Sequence, residues 1–141
     1  MANVQEMLRT HPSRPFVGGD VLADCIAACY DCAQTCASCA DACLAEESVA
    51  ALRRCIRLNL DCQDACEATG RTLSRQFEPN LDLIHRQLEL CRLACEACAD
   101  ECNRHRDRHA HCAVCADACG RCEEACAKLL GAMPQAAGKV H

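Results

Sequence analysis

The sequence predicts an all-α protein: an antiparallel up-down-up-down four-helix bundle with a cysteine-lined core, plus a short N-terminal segment. Cysteine accounts for 18 of the 141 residues, whereas Trp is absent and there are one Tyr and two Phe. The cysteines recur at alternating steps of four and three, which keeps them on one face of an α-helix. Four such segments follow one another with short connections, as in antiparallel bundles.

The N-terminal segment and the first long helix meet near Asp20. Residues 1–19 are predicted to be an N-terminal extension, in which Pro12 would stop a short helix. Asp20 is a suitable N-cap for the helix that follows. From Cys25 to Cys43 the cysteines stand at steps of 4, 3, 4, 3 and 4. A coiled-coil seam has this period and is normally filled by Leu or Ile, so here the seam is made of thiols.

The other three helices are predicted from the same rhythm. Ser48 is a good N-cap for the second helix, whose seam carries Leu58 between Cys55 and Cys62. In the third helix, steps of 3 and 4 beyond the last cysteine place two histidines on the seam, and Pro134 follows the fourth helix. The predicted helices span residues 20–45, 48–76, 81–108 and 111–131, within a bundle domain of 20–133 that precedes a flexible tail, 134–141.

Folding the four seams back on one another separates two ends of the bundle. One end, here called the histidine end, is predicted to gather Cys43, Cys55, Cys102, Cys112, His105, His109 and His111. The opposite end, here called the aliphatic end, is predicted to gather Val21, Leu22, Leu73, Phe77, Leu81, Ile84, Leu88, Leu129 and Leu130. The core is therefore expected to be a column of sulfur, closed by aliphatic side chains and lined by imidazole at its mouth.

Composition narrows the functional classes. The N-terminus has no apolar signal region, so we expect a cytoplasmic protein, in which thiols stay reduced and serve metal binding or catalysis. No apolar run is long enough to span a membrane. A formal charge of −5 and the lack of a basic, aromatic-rich patch argue against a nucleic-acid partner. No nucleophile and base can be singled out among similar thiols, so we do not expect an enzyme.

The metal is inferred from charge and geometry. Thiolates select Cu(I), zinc or iron–sulfur clusters. Zinc favours separate tetrahedral sites, and each four-thiolate site would bring two net negative charges into the core. A Cu(I) ion replaces one thiol proton, so about one ion per thiolate leaves the core near neutral. We therefore predict many Cu(I) ions per chain, with a zinc or general soft-metal detoxification bundle and a thiol redox protein as alternatives.

Residues 20–130 resemble the bacterial four-helix-bundle copper storage proteins, and the histidines make them more similar to the cytosolic subgroup. The resemblance implies a homotetramer, Cu(I) bound by all core cysteines and imidazole ligands near the open end. A copper chaperone or a low-molecular-weight thiol is a possible exchange partner. The predicted ligands are Cys25, Cys29, Cys32, Cys36, Cys39, Cys43, Cys55, Cys62, Cys66, Cys91, Cys95, Cys98, Cys102, Cys112, Cys115, Cys119, Cys122 and Cys126, with His105, His109 and His111.

Overall fold

The helical class predicted from the sequence is confirmed by the computed structural model, which describes residues 2–18 and 20–134. These residues form α-helices and one short 3₁₀-helix, Val49–Leu52, and contain no strand. The α-helices are α1 (Ala2–Thr10), α2 (Asp20–Leu44), α3 (Arg53–Ser74), α4 (Leu81–Asn103) and α5 (Ala110–Ala132).

The four long helices, α2 to α5, enclose a single core. Helix α2 packs against α3 and α5, and α4 packs against the same two helices, so the contacts close a ring. Each helix turns its cysteine stripe inward, because residues three and four apart share one face. The core is therefore filled mainly by sulfur, with alanine and a few larger aliphatic side chains beside it.

Two helix ends differ from those predicted. The second helix begins as the 3₁₀-helix, and the Ser48 hydroxyl makes no capping hydrogen bond. Helix α4 ends at Asn103 rather than near residue 108, and residues 104–108 form turns. The backbone N–H of His109 donates to the carbonyl of His105 at 2.9 Å in this connection. Helix α4 ends early for a steric reason, because a helix that reached residue 108 would leave too little chain to reverse direction before α5.

The aliphatic end is closed by leucines from all four helices. Leu22, Leu73, Leu88 and Leu129 are fully buried there. The predicted burial of Phe77 at this end is wrong: its side chain is 73% exposed. Helix α3 stops at Ser74, so the helical register that would have carried Phe77 inward no longer applies.

Gln76 is buried at the aliphatic end and ties the N-terminal segment to it. Its amide nitrogen donates to the Leu73 carbonyl at 2.6 Å, and its Oε1 accepts the backbone N–H of Phe16 at 3.3 Å. Val4 and Leu8 of helix α1 also pack against the core. The predicted flexible tail, apart from Pro134, lies outside the described residues.

The remaining predicted members of the aliphatic end are placed there to different degrees. Ile84 is buried, while Val21, Leu81 and Leu130 are half-buried against the core cluster. Within residues 2–18 and 20–134, none of the helices combines the length and apolar character needed to cross a bilayer.

Candidate metal centre

All 18 cysteines are free and buried, and their sulfur atoms lie in one continuous column. Sγ atoms of α2 and α5 lie close together in pairs, in which the residue number rises along α2 as it falls along α5. From the aliphatic end inward these pairs are Cys25–Cys126 at 3.8 Å, Cys29–Cys122 at 3.9 Å, Cys32–Cys119 at 3.7 Å and Cys36–Cys115 at 3.8 Å.

The thiols of α3 and α4 complete the column from the other side. Their Sγ contacts include Cys66–Cys91 at 3.8 Å, Cys66–Cys95 at 3.7 Å, Cys62–Cys95 at 3.8 Å and Cys55–Cys102 at 3.6 Å. Cys55, which has no cysteine one turn away on its own helix, contacts Cys102 on α4. Each level of the column brings together sulfurs from different helices, so an ion held there would join separate parts of the chain.

The sulfurs form groups of four whose ligand atoms all lie within 4.8 Å of one another, and these groups overlap. Cys122 belongs to two of them, as do Cys32, Cys36 and Cys119. The groups made only of thiols include Cys29/Cys91/Cys122/Cys126, Cys32/Cys66/Cys95/Cys122, Cys32/Cys36/Cys62/Cys119 and Cys36/Cys98/Cys115/Cys119. Because members are shared, these groups cannot all be separate four-thiolate sites at once, and bridging sulfurs are required to fill them together.

One amide interrupts the sulfur column. Asn59 is fully buried, and its Oδ1 accepts hydrogen bonds from the thiols of Cys115 at 3.0 Å and Cys98 at 3.1 Å. Its Nδ2 donates to the Cys55 sulfur at 3.7 Å. The predicted seam residue, Leu58, is only half-buried, so Asn59 takes the place that was assigned to Leu58.

At the histidine end, His111 connects the sulfur column to a carboxylate. Its Nδ1 lies 3.5 Å from the Cys39 sulfur, and its Nε2 lies 2.8 Å from Oε2 of Glu46. His111 also forms a compact group with Cys39, Cys43 and Cys112, whose ligand atoms all lie within 4.8 Å of one another. This is the one predicted histidine whose ring nitrogen directly contacts a core sulfur among the described residues.

The other two predicted histidines lie beside this group. His109 occupies the N-cap position of α5 without a side-chain capping hydrogen bond, and its Nδ1 lies 2.8 Å from the same Glu46 oxygen. His105 lies in the connection after α4 and contacts the buried Glu101 carboxylate at 2.9 Å. The structure thus brings all three imidazoles to the histidine end, although His105 and His109 are not on a helical seam.

Burial and hydrogen bonding give the thiols at this end different proton affinities. Burial raises the pKa of Cys43 and Cys112, so both thiols hold their protons more tightly than in water. A hydrogen bond with Cys102 lowers the pKa of Cys39 relative to that of an isolated cysteine. Hydrogen bonds from His111 lower the pKa of Glu46, which keeps this carboxylate ionised at neutral pH.

Three polar residues of the site were missed by the sequence analysis. Asn59 could have been found, since the steps of 4 and 3 that open the stripe in other helices lead from Cys55 to Asn59 and then to Cys62. Glu46 and Glu101 gave no such signal. Glu46 lies in a connection whose path depends on packing, and Glu101 becomes buried because α4 ends two residues later.

Solved structures resemble this fold over most of its length. A copper storage protein, Ccsp, from Streptomyces lividans, solved with 10 copper equivalents, is 46% identical, with a TM-score of 0.89, over 92% of this chain and 99% of that one. A structure of a cytosolic copper storage protein from the same organism, with five coppers, is 47% identical, with a TM-score of 0.80, over 82% and 96% of the two chains.

Sequence comparisons agree with the structural ones. An uncharacterized cysteine-rich protein of Bacillus subtilis (strain 168), YhjQ, is 36% identical over 105 residues, which are 74% of this chain and 92% of that protein. The family model described as copper storage protein matches residues 19–131. The resemblance seen in the cysteine pattern is thereby confirmed, and the chain belongs to the copper storage protein family.

Proposed function

We propose that this protein is a cytosolic, high-capacity store that holds many Cu(I) ions on the thiolates of its core, about one per cysteine. The observation that carries the proposal is the overlap of the four-thiol groups along one column. Bridging thiolates suit Cu(I), a soft ion with a single charge. The relatives from S. lividans, one solved with 10 copper equivalents and one with five coppers, support the same role.

The charge of the core favours Cu(I) over zinc. Among the described residues, the buried polar side chains are Asn59, Thr69, Gln76 and Glu101, so no lysine or arginine is buried beside the thiols. Separate zinc sites with four thiolates would each leave a double negative charge uncompensated in this core. Exchange of each thiol proton for one Cu(I) keeps the core near neutral, which is why we propose a copper store rather than a zinc store or an enzyme.

Cu(I) is proposed to enter and leave at the histidine end. His105, His109 and His111 act there as imidazole ligands, and the ion then passes to Cys39, Cys43 and Cys112 before moving inward by exchange between neighbouring thiolates. The leucines of the aliphatic end leave no comparable polar path. A copper chaperone or a low-molecular-weight thiol would donate and accept the ion.

The proposed architecture is an antiparallel up-down-up-down bundle that assembles as a homotetramer. The opposite numbering of the α2 and α5 sulfur pairs supports the antiparallel arrangement, as does the ring of helix contacts. The tetramer follows from the family resemblance. Light scattering coupled to gel filtration of the reduced protein checks it, and a mass of one or two chains would contradict it.

An anaerobic titration of the fully reduced protein with Cu(I), against a chromophoric Cu(I) chelator, tests the function. We expect the protein to outcompete the chelator until about one ion per cysteine is bound. A parallel titration with Zn²⁺ serves as the matched control and should saturate at no more than about four ions, the number of four-thiolate sites that 18 cysteines can complete.

Two results would contradict the proposal. Saturation at only a few Cu(I) ions would mean that most of the column does not bind copper. Displacement of bound Cu(I) by an equal amount of Zn²⁺ would favour the soft-metal detoxification alternative.

A further inference from the structure

The carboxylate of Glu46 joins two connections of the chain at the histidine end. Glu46 lies between α2 and the 3₁₀-helix, while His109 and His111 lie at the start of α5. Its Oε2 atom is 2.8 Å from Nε2 of His111 and 2.8 Å from Nδ1 of His109. One carboxylate oxygen of Glu46 therefore contacts the imidazoles of both His109 and His111.

The contact with Glu46 determines which nitrogen of His111 carries the proton. An ionised carboxylate can only accept hydrogen bonds, so Nε2 of His111 must be protonated to donate to it. In a neutral imidazole the other nitrogen, Nδ1, is then unprotonated and presents a lone pair. Nδ1 lies 3.5 Å from the Cys39 sulfur and 3.7 Å from the Cys112 sulfur, so this lone pair faces the thiols.

We propose that Glu46 is a positioning residue that fixes the Nε2–H tautomer of His111 and aims its Nδ1 lone pair at the Cys39, Cys43 and Cys112 sulfurs. The inference rests on the proposed function, because it assigns Cu(I) to this group. Histidines that bind metals commonly donate their other ring N–H to a carboxylate, and loss of that partner typically weakens metal binding about 10- to 100-fold.

A purely structural ion pair would have different properties. The Glu46 side chain is 33% exposed and His111 is 26% exposed, and ion pairs with this much solvent contact contribute little to stability. Such a pair would not depend on which ring nitrogen is protonated. In this arrangement, however, the two nitrogens of His111 contact different partners, with the carboxylate on one side and the sulfurs on the other.

The tautomer can be measured without copper. Nitrogen-15 NMR of reduced apo-protein, at mildly alkaline pH where imidazole is neutral, distinguishes protonated from unprotonated ring nitrogens. We expect Nε2 of His111 to be protonated in the parent and in Glu46→Gln, because the glutamine carbonyl still accepts a hydrogen bond. Glu46→Leu should give a mixture of the two tautomers. Glu47→Leu, a change at the exposed neighbouring residue, is the matched control and should match the parent.

The same four proteins are then compared for affinity toward the first equivalent of Cu(I), measured against the chromophoric chelator. We expect Glu46→Leu to bind about 10-fold more weakly, while Glu46→Gln and Glu47→Leu stay close to the parent. An unchanged tautomer in Glu46→Leu would overturn the inference, and so would a mixed tautomer with unchanged affinity. A parent that does not bind Cu(I) would instead overturn the proposed function, because the tautomer is read in the absence of copper.

Discussion

Asn59 shows how much a single side chain matters in a core made of thiols. It is fully buried between Cys55 and Cys62 on α3, and its oxygen accepts the S–H groups of Cys98 and Cys115. Thiols are weak donors, but the amide would lose hydrogen bonds to water on burial if they were absent. The contacts with sulfur are therefore what makes a polar side chain tolerable at this position.

Replacing Asn59 by Asp should make the stability of the apo-protein depend on pH. Burial without a cation raises the pKa of the carboxyl in the folded state above about 3.9, its value in the unfolded chain. The folded state then keeps its proton while the unfolded state releases it as the pH rises. The free energy of unfolding should consequently fall above about pH 4, by up to about 1.4 kcal/mol per pH unit, until the buried carboxyl ionises.

The measurement is urea denaturation of the reduced apo-protein across this pH range. Asn59→Leu is the matched control, since it removes the hydrogen bonds without adding an acid. It should lose about 1 kcal/mol at every pH, relative to the parent. An Asn59→Asp variant with the same pH profile as Asn59→Leu would mean that the position is open to water or to a cation.

At the residue scale, the burial of a side chain could be predicted from the sequence only where the helical register was continuous. Where it was continuous, the alternating steps placed cysteines such as Cys32 and Cys95 in the core correctly. The prediction failed for Phe77, because α3 had already ended. The buried residue in that segment is Gln76. The contacts that make Gln76 favourable come from the Phe16 N–H and the Leu73 carbonyl, and the first of these is distant in sequence.

Helices α2 and α3 approach each other closely where Gly70 faces Tyr30. A Cβ atom at Gly70 would lie 2.8 Å from Cε2 and 3.0 Å from Cζ of the Tyr30 ring. The first distance is shorter than real Cβ contacts and the second is tight, and a rigid ring cannot move one atom aside without moving the rest. Gly70 therefore allows this helix pair to pack, although glycine is a poor helix former.

Gly70→Ala should destabilise the apo-protein by about 1 to 3 kcal/mol, because the methyl group overpacks the contact with Tyr30. Gly120, inside α5, has no atom within 4 Å of the equivalent position, so Gly120→Ala is the matched control. It should stabilise by about 0.5 to 1 kcal/mol through helix propensity alone. Denaturant midpoints of both variants check this, and equal stabilisation by the two changes would show that Tyr30 moves away freely.

Helix ends were the least predictable feature at the scale of elements. The alternating spacing of the cysteines runs without a break from Cys91 to Cys102, and it would reach His105 and His109 if the helix continued. The chain instead turns after Asn103, because it must bring Cys112 back to the level of the histidine end. Helix α4 begins at Leu81, where the Asn80 side chain accepts the backbone N–H of Leu83 at 3.0 Å, a capping contact that local sequence can specify.

For the molecule as a whole, the core is already filled before any ion binds. Protonated thiols are small and apolar enough to pack like aliphatic groups, and here they also hydrogen-bond to one another. Leucines from four helices close one end independently of the metal. The protein thus differs from zinc fingers, whose folded state depends on the ion.

The reduced apo-protein should accordingly be helical in far-ultraviolet circular dichroism, and addition of Cu(I) should change its helix content little. Thermal melts with and without copper provide the comparison, with the loaded protein melting higher because ligand binding stabilises the folded state. A metal-binding zinc-finger peptide measured alongside is the control for metal-dependent folding. A coil spectrum for the apo-protein would contradict a preformed core.

Because the aliphatic end is closed, the stored ions are expected to leave the column in a fixed order. If copper leaves at the histidine end, as proposed, an ion held near Cys25 and Cys126 must pass every ion bound closer to His111. The last ion to arrive is then the first to depart, and the oldest ions stay longest. If isotopically labelled copper is added after unlabelled copper, the label should return to solution first. A nearly full protein that releases only a few ions would then release those that it bound most recently.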